Sequence, residues 1–527
     1  MYYSLVKFRY DQSLKVIKKQ LPQILLIFIL VISRVWLLFQ YTPVVFQQEA
    51  LLGYRAQLLV NSGVDELNRK YPIIFSSVHG LSGPISTYLV AGSVGIFGLN
   101  ALTIRLPFVL ISLLGLFALY YLIKKLIPQN PEVAWWSIFV FGLSPVHTAL
   151  SLSPSEWWLY FNLSLILIAG FVLLTKKAKF LLAVIFSIIL ATFIITINLE
   201  KTQLIRIFAD QFNFKDDISI INSINQMRGE GSFFQPAGFW SRLFYNKTWL
   251  LTKLIMNLFN HLKPQFYFAD GGRNSVYSAT NFGIFLTGLI IPFILGLKNL
   301  GKFKSRTKLI IGVLFAVGII PSIFSLPTPQ PEKLLFALIP LTIIVAWGII
   351  QIPSKWKTLL VVLILFNYSF FVYDYLVKEP SRTSQLRCEG ISQLVDVLKP
   401  LINQYQQIFI SDAYCPQAGI QLAYYLAKQG MLLKTANLSG LPYKINFSRL
   451  NNLDITNEDN WEIQFTSPTL LIWEKNLPKH ILSKYYPLKE ETGGCFTAVN
   501  NTTLENPIYE FYQTNNPTCV KAEPDSD

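Results

Sequence analysis

The first candidates for chemistry are acidic side chains that follow a long apolar stretch near the N-terminus. The segment from Val44 to Glu66 carries Glu49, Asp65 and Glu66 just where a membrane segment has ended. A carboxylate that is partly desolvated at a membrane surface has a raised pKa and is a stronger base near neutral pH. We therefore predict that Glu49 is a catalytic base; the alternative is a solvated residue that merely ends a span. Gln48 can hold a hydroxyl by hydrogen bonds but cannot take its proton.

Further acids follow along the chain. Asp65 and Glu66 are interpreted either as a solvated loop pair or as part of a substrate or divalent-cation site, because two adjacent acids give only part of an oxygen-ligand shell. Glu156 stands before Trp157 and Trp158 and is predicted to be a second catalytic carboxylate that positions substrate. The tryptophans themselves are typical of a membrane-interface belt.

Cationic and histidine side chains could contact a phosphate. His79 and His147 could bind it or act as acids, although an isolated interfacial histidine is usually just hydrogen-bonded. Arg105 and Lys333 are the candidates for a lipid phosphate, with anchoring to ordinary headgroups as the alternative. No resident cofactor is predicted, and a divalent cation at the phosphate is left open.

Composition decides what kind of chain must position these residues. Of the 527 residues, 52% are hydrophobic and only 14% are charged, far below the roughly 25% that is usual for soluble domains. This predicts an integral membrane protein. The formal net charge of +15 gathers in short loops between apolar runs, as the positive-inside rule predicts for cytoplasmic turns. We therefore interpret the positive charge as a marker of the cytoplasmic turns and as a source of contact with the membrane surface. We predict no nucleic-acid partner.

Apolar runs and basic turns together predict roughly nine or more transmembrane helices, with the N-terminus inside and the C-terminus outside. Residues 1–20 form a basic cytoplasmic lead, and the transmembrane domain covers 21–377, with external loops at 43–103 and 199–280. Within the loop 43–103, the short run 84–97 is predicted to be interfacial or re-entrant. The crossings are predicted at 21–42, 104–123, 132–151, 157–175, 180–198, 281–297, 308–326, 333–352 and 358–376.

Two features outside these crossings carry further predictions. Leucines and a tryptophan at helical spacing between lysines, from Phe244 to Leu262, predict an amphipathic helix that lies in the membrane interface. Arg34 falls inside the first apolar run, so it either faces the interior of the bundle or reaches up to the interface.

The tail, residues 378–527, reads as a small soluble α/β domain. Segments 406–412, 469–475 and 495–501 are predicted strands, and 392–405 and 416–430 are predicted helices. All four cysteines lie in this tail: Cys388, Cys415, Cys495 and Cys519. An even number of cysteines in a segment that charge places outside indicates an oxidising compartment and two disulfides, with three pairings open.

The order of motifs from residue 46 to 156 resembles that of GT-C fold glycosyltransferases, specifically glycosyltransferase family 39 and protein O-mannosyltransferase-like membrane enzymes. The segments that carry the resemblance are QEALLGY (48–54), SGVDELNRKYPIIF (62–75), FGLNALTIRLP (97–107) and LSPVHTALSLSPSE (143–156). The resemblance covers residues 1–376 and implies an α-helical polytopic GT-C-like fold in the plasma membrane. It also implies transfer of a sugar from a polyprenyl-phosphate donor to a lipid, glycan or protein acceptor on the outer face.

The site departs from that family at several positions. Gln48 stands where relatives carry the catalytic Asp, Leu152 where they carry an Arg, and Lys333 where an Arg is common. Gly80 and Ser82 stand in a region where many relatives have an Asp and a Lys. The resemblance therefore implies either an inverting enzyme that uses a first-loop carboxylate, or a catalytically silent relative that binds lipid or assists assembly. A transporter is a weaker third reading, because apart from Arg34 the spans hold few charges.

Overall fold

The computed structural model describes a substantial part of the chain. The described residues are 25–41, 45–77, 80–173, 222, 224–226, 239, 247–271, 282–325, 328–383, 387–388, 390–399, 407–410, 418–431, 469–474, 496–498 and 509–514. The chain divides into two compact units. We call residues 1–41 with 108–379 the bundle unit, and residues 42–107 with 380–527 the loop unit, and describe each by itself.

Helices account for most of the described residues. In chain order they are α1 Leu25–Gln40, α2 Gln47–Ser62, α3 Pro84–Phe97, α4 Ala101–Leu126, α5 Glu132–Gly142, α6 Pro145–Ser151, α7 Glu156–Leu173, α8 Lys247–Asn260, α9 Ile290–Lys298, α10 Ser305–Ile323, α11 Leu335–Gln351, α12 Ser354–Thr383, α13 Ile391–Leu398 and α14 Ala418–Lys428. Short π or 3-10 turns cover Phe266–Asp270, Thr287–Leu289, Leu300–Lys302 and Pro331–Lys333.

Four of these helices, α4, α7, α10 and α12, are long and apolar enough to cross a membrane, and the pair α5–α6 makes a fifth if it counts as one span bent by 64°. The chain is therefore an integral membrane protein. The count of nine crossings stays a prediction, since shorter apolar helices stand at several predicted positions and the predicted span 180–198 lies outside the described residues.

The predicted span 132–151 differs from the structure in a way that the sequence explains. α5 ends at Gly142 and α6 begins at Pro145. Proline lacks the backbone N–H that a continuous helix needs and favours the first turn of a new one. Ser144 is the N-cap residue of α6, and its side chain accepts a hydrogen bond from the His147 N–H at 3.1 Å. A single predicted helix is thus two helices with a break.

The core of the bundle unit is formed around α11, which packs against α9, α10 and α5. Nearly all of its side chains are buried. Gly348 of α11 lies against the backbone of Pro292 in α9, and Gly296 of α9 lies against the backbone of Ile344. Small residues at such crossings let two helix backbones approach closely, which is a common way of packing helices in lipid.

α8 confirms the helix that was predicted within residues 244–262. Its apolar side chains Leu251, Ile255 and Phe259 are exposed. By contrast Asn257 is buried, and its side-chain amide donates to the Ile323 carbonyl at 3.0 Å. The polar face therefore packs on α10 and the apolar face points outward. Insertion of that face into the membrane interface stays a prediction.

The loop unit combines helices with two small sheets. α2 packs against α3 and α14, and β1 Phe75–Ser77 pairs with β2 Gly80–Ser82. A four-stranded sheet has the order β3 Gln407–Ile410, β4 Thr469–Glu474, β6 Tyr509–Thr514, β5 Phe496–Ala498. The β3–β4 pair is parallel and the other two pairs are antiparallel.

Several features of the predicted tail recur in the structure. β3, β4 and β5 coincide with the three predicted strands, and α13 and α14 fall on the predicted helices. β6 was not predicted. Cys388 is disulfide-bonded, as the even cysteine count predicts. Its pairing stays open, because the other three cysteines lie outside the described residues.

Candidate functional site

Glu49 sits in the first turn of α2, where a negative charge is favoured by the helix dipole. Its side chain is buried, with an exposed fraction of 2%. Oε1 accepts from Arg105 Nε at 3.0 Å, and Oε2 accepts from Arg105 Nη2 at 2.9 Å and from the Phe46 backbone N–H at 2.9 Å. Arg387 Nη1 approaches Oε2 to 3.9 Å. The structure thus brings together Glu49 and Arg105, both predicted site residues, and adds Arg387.

This environment corrects the expected pKa of Glu49. Burial alone raises the pKa of a carboxyl, as the sequence argument assumed. The charge and hydrogen bonds of Arg105, the charge of Arg387 and the Phe46 N–H together outweigh burial, so the pKa of Glu49 lies below its ordinary value of 4.5. The expectation of a raised pKa was therefore wrong, as was the alternative of a solvated residue. Gln48, next to it, is exposed.

Asp65 and Glu66 are not a solvated loop pair, which was one of the two interpretations of the sequence. Their exposed fractions are 2% and 5%. Asp65 accepts from the Leu67 and Arg69 backbone N–H groups at 3.0 and 2.8 Å, and from Arg69 Nε at 2.7 Å. Glu66 accepts from Arg55 Nε at 2.8 Å. Each acid therefore has its own arginine, because burying a carboxylate without a cation would cost several kcal/mol.

The described residues contain no group of three or more histidine, cysteine or acidic side chains that could hold a metal ion. His79, which was predicted to bind phosphate, lies outside the described residues. The remaining predicted site residues, His147, Glu156 and Lys333, belong to the bundle unit.

A carboxylate that the sequence analysis missed lies beside Lys333. Glu332 is in the short turn Pro331–Lys333 that joins α10 to α11 and packs against α6 and α7. Its side chain is partly exposed and is hydrogen-bonded to Ser155. Burial raises the pKa of Glu332 to about 7, although Lys333 and Ser155 act in the opposite direction. Burial likewise lowers the pKa of Lys333, while Glu332 raises it.

The turn that carries Glu332 is fixed from the side of α8. The Gln330 backbone N–H donates to Ser322 Oγ at 2.9 Å, and His261 Nε2 lies 2.8 Å from the same oxygen. His261 Nδ1 lies 2.7 Å from the Asn257 carbonyl oxygen, which places its proton on Nδ1 and makes Nε2 an acceptor. The serine hydroxyl therefore donates to His261 and accepts from Gln330, which ties the turn to α8 and α10.

Glu156 and His147 have different surroundings. Glu156 is the first residue of α7, directly after Ser155, and is half-buried. His147 is fully buried, and Arg34 Nη2 lies 3.1 Å from its Nδ1. Arg34 has no exposed surface, so of the two predicted placements the interior one is confirmed.

Sequence reasoning missed Glu332 because an acid beside a lysine looks like an ordinary ion pair. The position of Glu332 in the sequence could have indicated a site residue, because Glu332 comes shortly before the apolar run of α11. The predicted topology places this end of α11 on the same side of the membrane as Glu156, the first residue of α7. A carboxylate at the end of a membrane-spanning segment is expected to be partly desolvated and therefore to have a perturbed pKa.

Comparison with known proteins gives no family assignment. No protein-family model and no curated protein matches the chain. Two solved structures, both of ArnT from Cupriavidus metallidurans, are similar at 11% sequence identity. The apo form has a TM-score of 0.45 and covers 92% of this chain and 97% of its own. The form bound to undecaprenyl phosphate has a TM-score of 0.47 and covers 94% and 98%.

Proposed function

We propose that the chain is a membrane glycosyltransferase that moves a sugar from a polyprenyl-phosphate donor to an acceptor hydroxyl on the extracytoplasmic face of the plasma membrane. The observation that carries the proposal is the pair Glu332 and Lys333 at the start of α11. It joins a carboxyl group with a pKa of about 7 to an ammonium group, and both are partly exposed. The resemblance of residues 46–156 to family 39 and the apolar helices also support it.

The two groups suit the two charges that the reaction develops. The acceptor oxygen bonds to the anomeric carbon while the bond from that carbon to the phosphate oxygen breaks, with inversion at carbon. The leaving phosphate takes the electron pair, and Lys333 balances its charge. The hydroxyl proton passes to Glu332, whose pKa of about 7 suits a general base near neutral pH. Glu156, at the start of α7, positions the substrate.

The first-loop carboxylate Glu49 is the competing assignment for the base, as the sequence predicted. Its low pKa keeps it ionised, but an ionised group with a low pKa has little affinity for a proton. We propose instead that Glu49 keeps the loop unit folded by holding Arg105 and Arg387. The experiment below separates the two assignments.

A catalytically silent, lipid-binding relative is the second candidate function. One specific observation favours it. Both carboxylate oxygens of Glu49 already accept hydrogen bonds, and the neighbouring position carries Gln48, which is exposed and cannot act as a base. If the first loop provided the only base in this fold, the chain would bind the donor without turning it over.

The test is reconstitution of the purified protein with radiolabelled polyprenyl-phosphate sugars and candidate acceptors. Wild type is compared with Glu332→Gln and Glu49→Gln, and with Glu132→Gln as a control at an exposed glutamate of α5. We expect Glu332→Gln to lose transfer while its thermal unfolding midpoint is no lower than that of the wild type.

Other outcomes point elsewhere. If Glu49→Gln loses transfer at an unchanged unfolding midpoint while Glu332→Gln is fully active, the general base is Glu49 of the first loop. Donor binding without turnover in the wild type supports the silent relative. Absence of both binding and transfer with every donor rejects the proposed function.

A further inference from the structure

His261, which directly follows α8, is a fully buried histidine that the proposed reaction does not use. Its Nδ1 lies 2.7 Å from the Asn257 carbonyl oxygen, and its Nε2 lies 2.8 Å from Ser322 Oγ. A carbonyl oxygen can only accept, so Nδ1 carries the proton of the neutral ring and Nε2 is an acceptor. Burial lowers the pKa of His261, although its hydrogen bond to Asn257 acts in the opposite direction. The ring is therefore neutral near pH 7 and offers Ser322 a buried acceptor.

That acceptor determines the direction of the Ser322 hydroxyl group. The hydroxyl has a single hydrogen, and with Nε2 at 2.8 Å this hydrogen points to His261. The lone pairs of Oγ are then free to accept the Gln330 backbone N–H at 2.9 Å. The Ser322 carbonyl oxygen also accepts from the Thr328 hydroxyl at 2.9 Å. Ser322 thus holds the chain just before the turn that carries the proposed base.

The hydrogen bond at Gln330 leads directly to Glu332. Gln330 is the N-cap residue of the turn Pro331–Lys333, and its carbonyl oxygen accepts the backbone N–H of Lys333 at 3.2 Å. The turn packs against α6 and α7, and Glu332 is hydrogen-bonded to Ser155, which lies between these two helices. A shift of Gln330 therefore moves the Glu332 carboxyl relative to Ser155.

Without the His261 ring, the Ser322 hydroxyl loses the acceptor that orients it. The Gln330 carbonyl oxygen remains at 3.4 Å from Ser322 Oγ, beyond the roughly 3 Å of an ordinary bond between a hydroxyl and an oxygen. A hydroxyl that turns toward this carbonyl also turns its lone pairs away from the Gln330 N–H. The bond that fixes the start of the turn thus depends on Nε2 of His261.

We propose that His261 is a positioning residue for Glu332: through Ser322 it keeps the turn Pro331–Lys333 in the conformation that holds the Glu332 carboxyl against Ser155. This role rests on the proposed function, in which Glu332 takes the proton of the acceptor. It makes the end of the external segment 199–280 part of the machinery that places the base, although His261 itself touches neither substrate.

The experiment measures the pKa of Glu332 and needs no turnover. Unfolding midpoints are recorded from pH 4.5 to about 8 for the wild type and Glu332→Gln, and for the same pair in the His261→Phe background. In the wild type, the difference between the pair decreases as the pH rises through about 7. We expect His261→Phe to hydrate Glu332 and to abolish that decrease. His261→Gln should restore it, because an amide can both donate and accept.

The charged surroundings of Glu332 are the same in all these proteins. Lys333 of the same turn is the charged group that acts on it. Among the helices packed against the turn, α6 contains His147, α7 begins with Glu156, and the basic residues of α10 lie in its first turn, far from Glu332 in the sequence. None of the substitutions at His261 touches these groups, so a changed pKa of Glu332 reports a changed position.

Asn257→Ala is the matched control for a purely structural role. It removes a different hydrogen bond between α8 and α10, from the Asn257 amide to the Ile323 carbonyl at 3.0 Å, and leaves Ser322 with its acceptor. We expect it to keep the pH dependence. The pH profile of transfer should agree: at pH 6 a base with a pKa of about 7 gives about one tenth of the plateau rate. His261→Phe should keep most of its own, lower plateau rate at that pH.

Each outcome decides one assignment. A pH dependence like that of the wild type in His261→Phe overturns the proposal, and so does its loss in Asn257→Ala, because His261 would then only fasten α8. If His261→Phe does not fold, Ser322→Ala should lose the pH dependence and Ser322→Thr should keep it, and equal behaviour of the two overturns the proposal. A titration of Glu332 that depends on His261, without transfer from any donor, upholds the positioning and rejects the proposed function.

Discussion

At the scale of single residues, partners decide what a carboxyl group can do. Glu49 and Glu332 are the same residue type, and both sit at the start of a helical segment. Two arginines lower the pKa of Glu49 below its ordinary value, whereas burial beside one lysine leaves the pKa of Glu332 raised to about 7. The sequence could place acids at membrane ends, but it could not show that Arg387 comes to Glu49 from a distant part of the chain.

Removing the Glu49 charge is expected to destabilise the protein more than it alters chemistry. Glu49→Gln leaves Arg105 and Arg387 buried without their carboxylate, and breaking a buried ion pair on one side costs about 3–5 kcal/mol. Chemical or thermal unfolding of the variant measures the loss. Glu132→Gln, at an exposed position, should cost little. A midpoint equal to that of the wild type would contradict the structural role of Glu49.

The raised pKa of Glu332 makes stability depend on pH with a definite sign. Because the folded pKa, about 7, is above the ordinary value of 4.5, folding favours the protonated carboxyl. Its stabilising contribution is complete below pH 4.5 and is lost as the pH rises through about 7. The unfolding midpoint of the wild type, measured relative to that of Glu332→Gln, should therefore decrease as the pH rises from 4.5 to above 7. A difference that does not vary with pH would show that Glu332 titrates normally.

At the scale of elements, the apolar runs in the sequence predicted that helices exist more reliably than they predicted the residues at which the helices begin and end. The runs at 104–123, 308–326 and 358–376 correspond to α4, α10 and α12, since any helix that crosses lipid needs such a run. The break between α5 and α6 was missed, because a hydropathy pattern does not register one Pro after one Gly. The turn between the runs 308–326 and 333–352 was predicted, but the burial of Glu332 within it was missed, since the conformation of the turn depends on hydrogen bonds to Ser322.

The contact between α9 and α11 depends on the absence of a side chain. In Gly348→Ala the new methyl group meets the backbone of Pro292, which cannot move aside as a flexible side chain can. Overpacking of this kind costs about 1–3 kcal/mol, so we expect a lower unfolding midpoint. Gly312→Ala in α10 is the matched control, because nothing lies within 4 Å of its added methyl group. Equal midpoints for the two variants would contradict the close approach.

At the scale of the whole molecule, charge predicts which face of the membrane each segment meets. Basic loops at 298–306 and 355–357 are placed inside, which puts the turn with Glu332 and the cysteine-containing tail outside. The disulfide at Cys388 fits an oxidising compartment. The proposed donor chemistry depends on that sidedness, because acceptor and donor must meet at the outer face.

Sidedness can be measured on intact cells. After reduction with a membrane-impermeant phosphine, an impermeant maleimide should label the tail cysteines in whole cells, and a variant with all four cysteines replaced by serine should give no label. A cysteine introduced at the exposed Lys302 should be labelled only after lysis. Labelling of the tail only after lysis would place it in the cytosol and remove the basis for the proposed enzyme.

The ion pair between Glu49 and Arg387 has a consequence for biogenesis. The ribosome makes the first loop early and makes Arg387 only after α12. During translation, therefore, Glu49 can pair with Arg105 before Arg387 has been synthesised. The nascent loop must wait for the last helix to be inserted before it reaches its mature pairing. Truncation of the chain before Arg387 should therefore leave a product that membrane quality-control proteases recognise as unfinished.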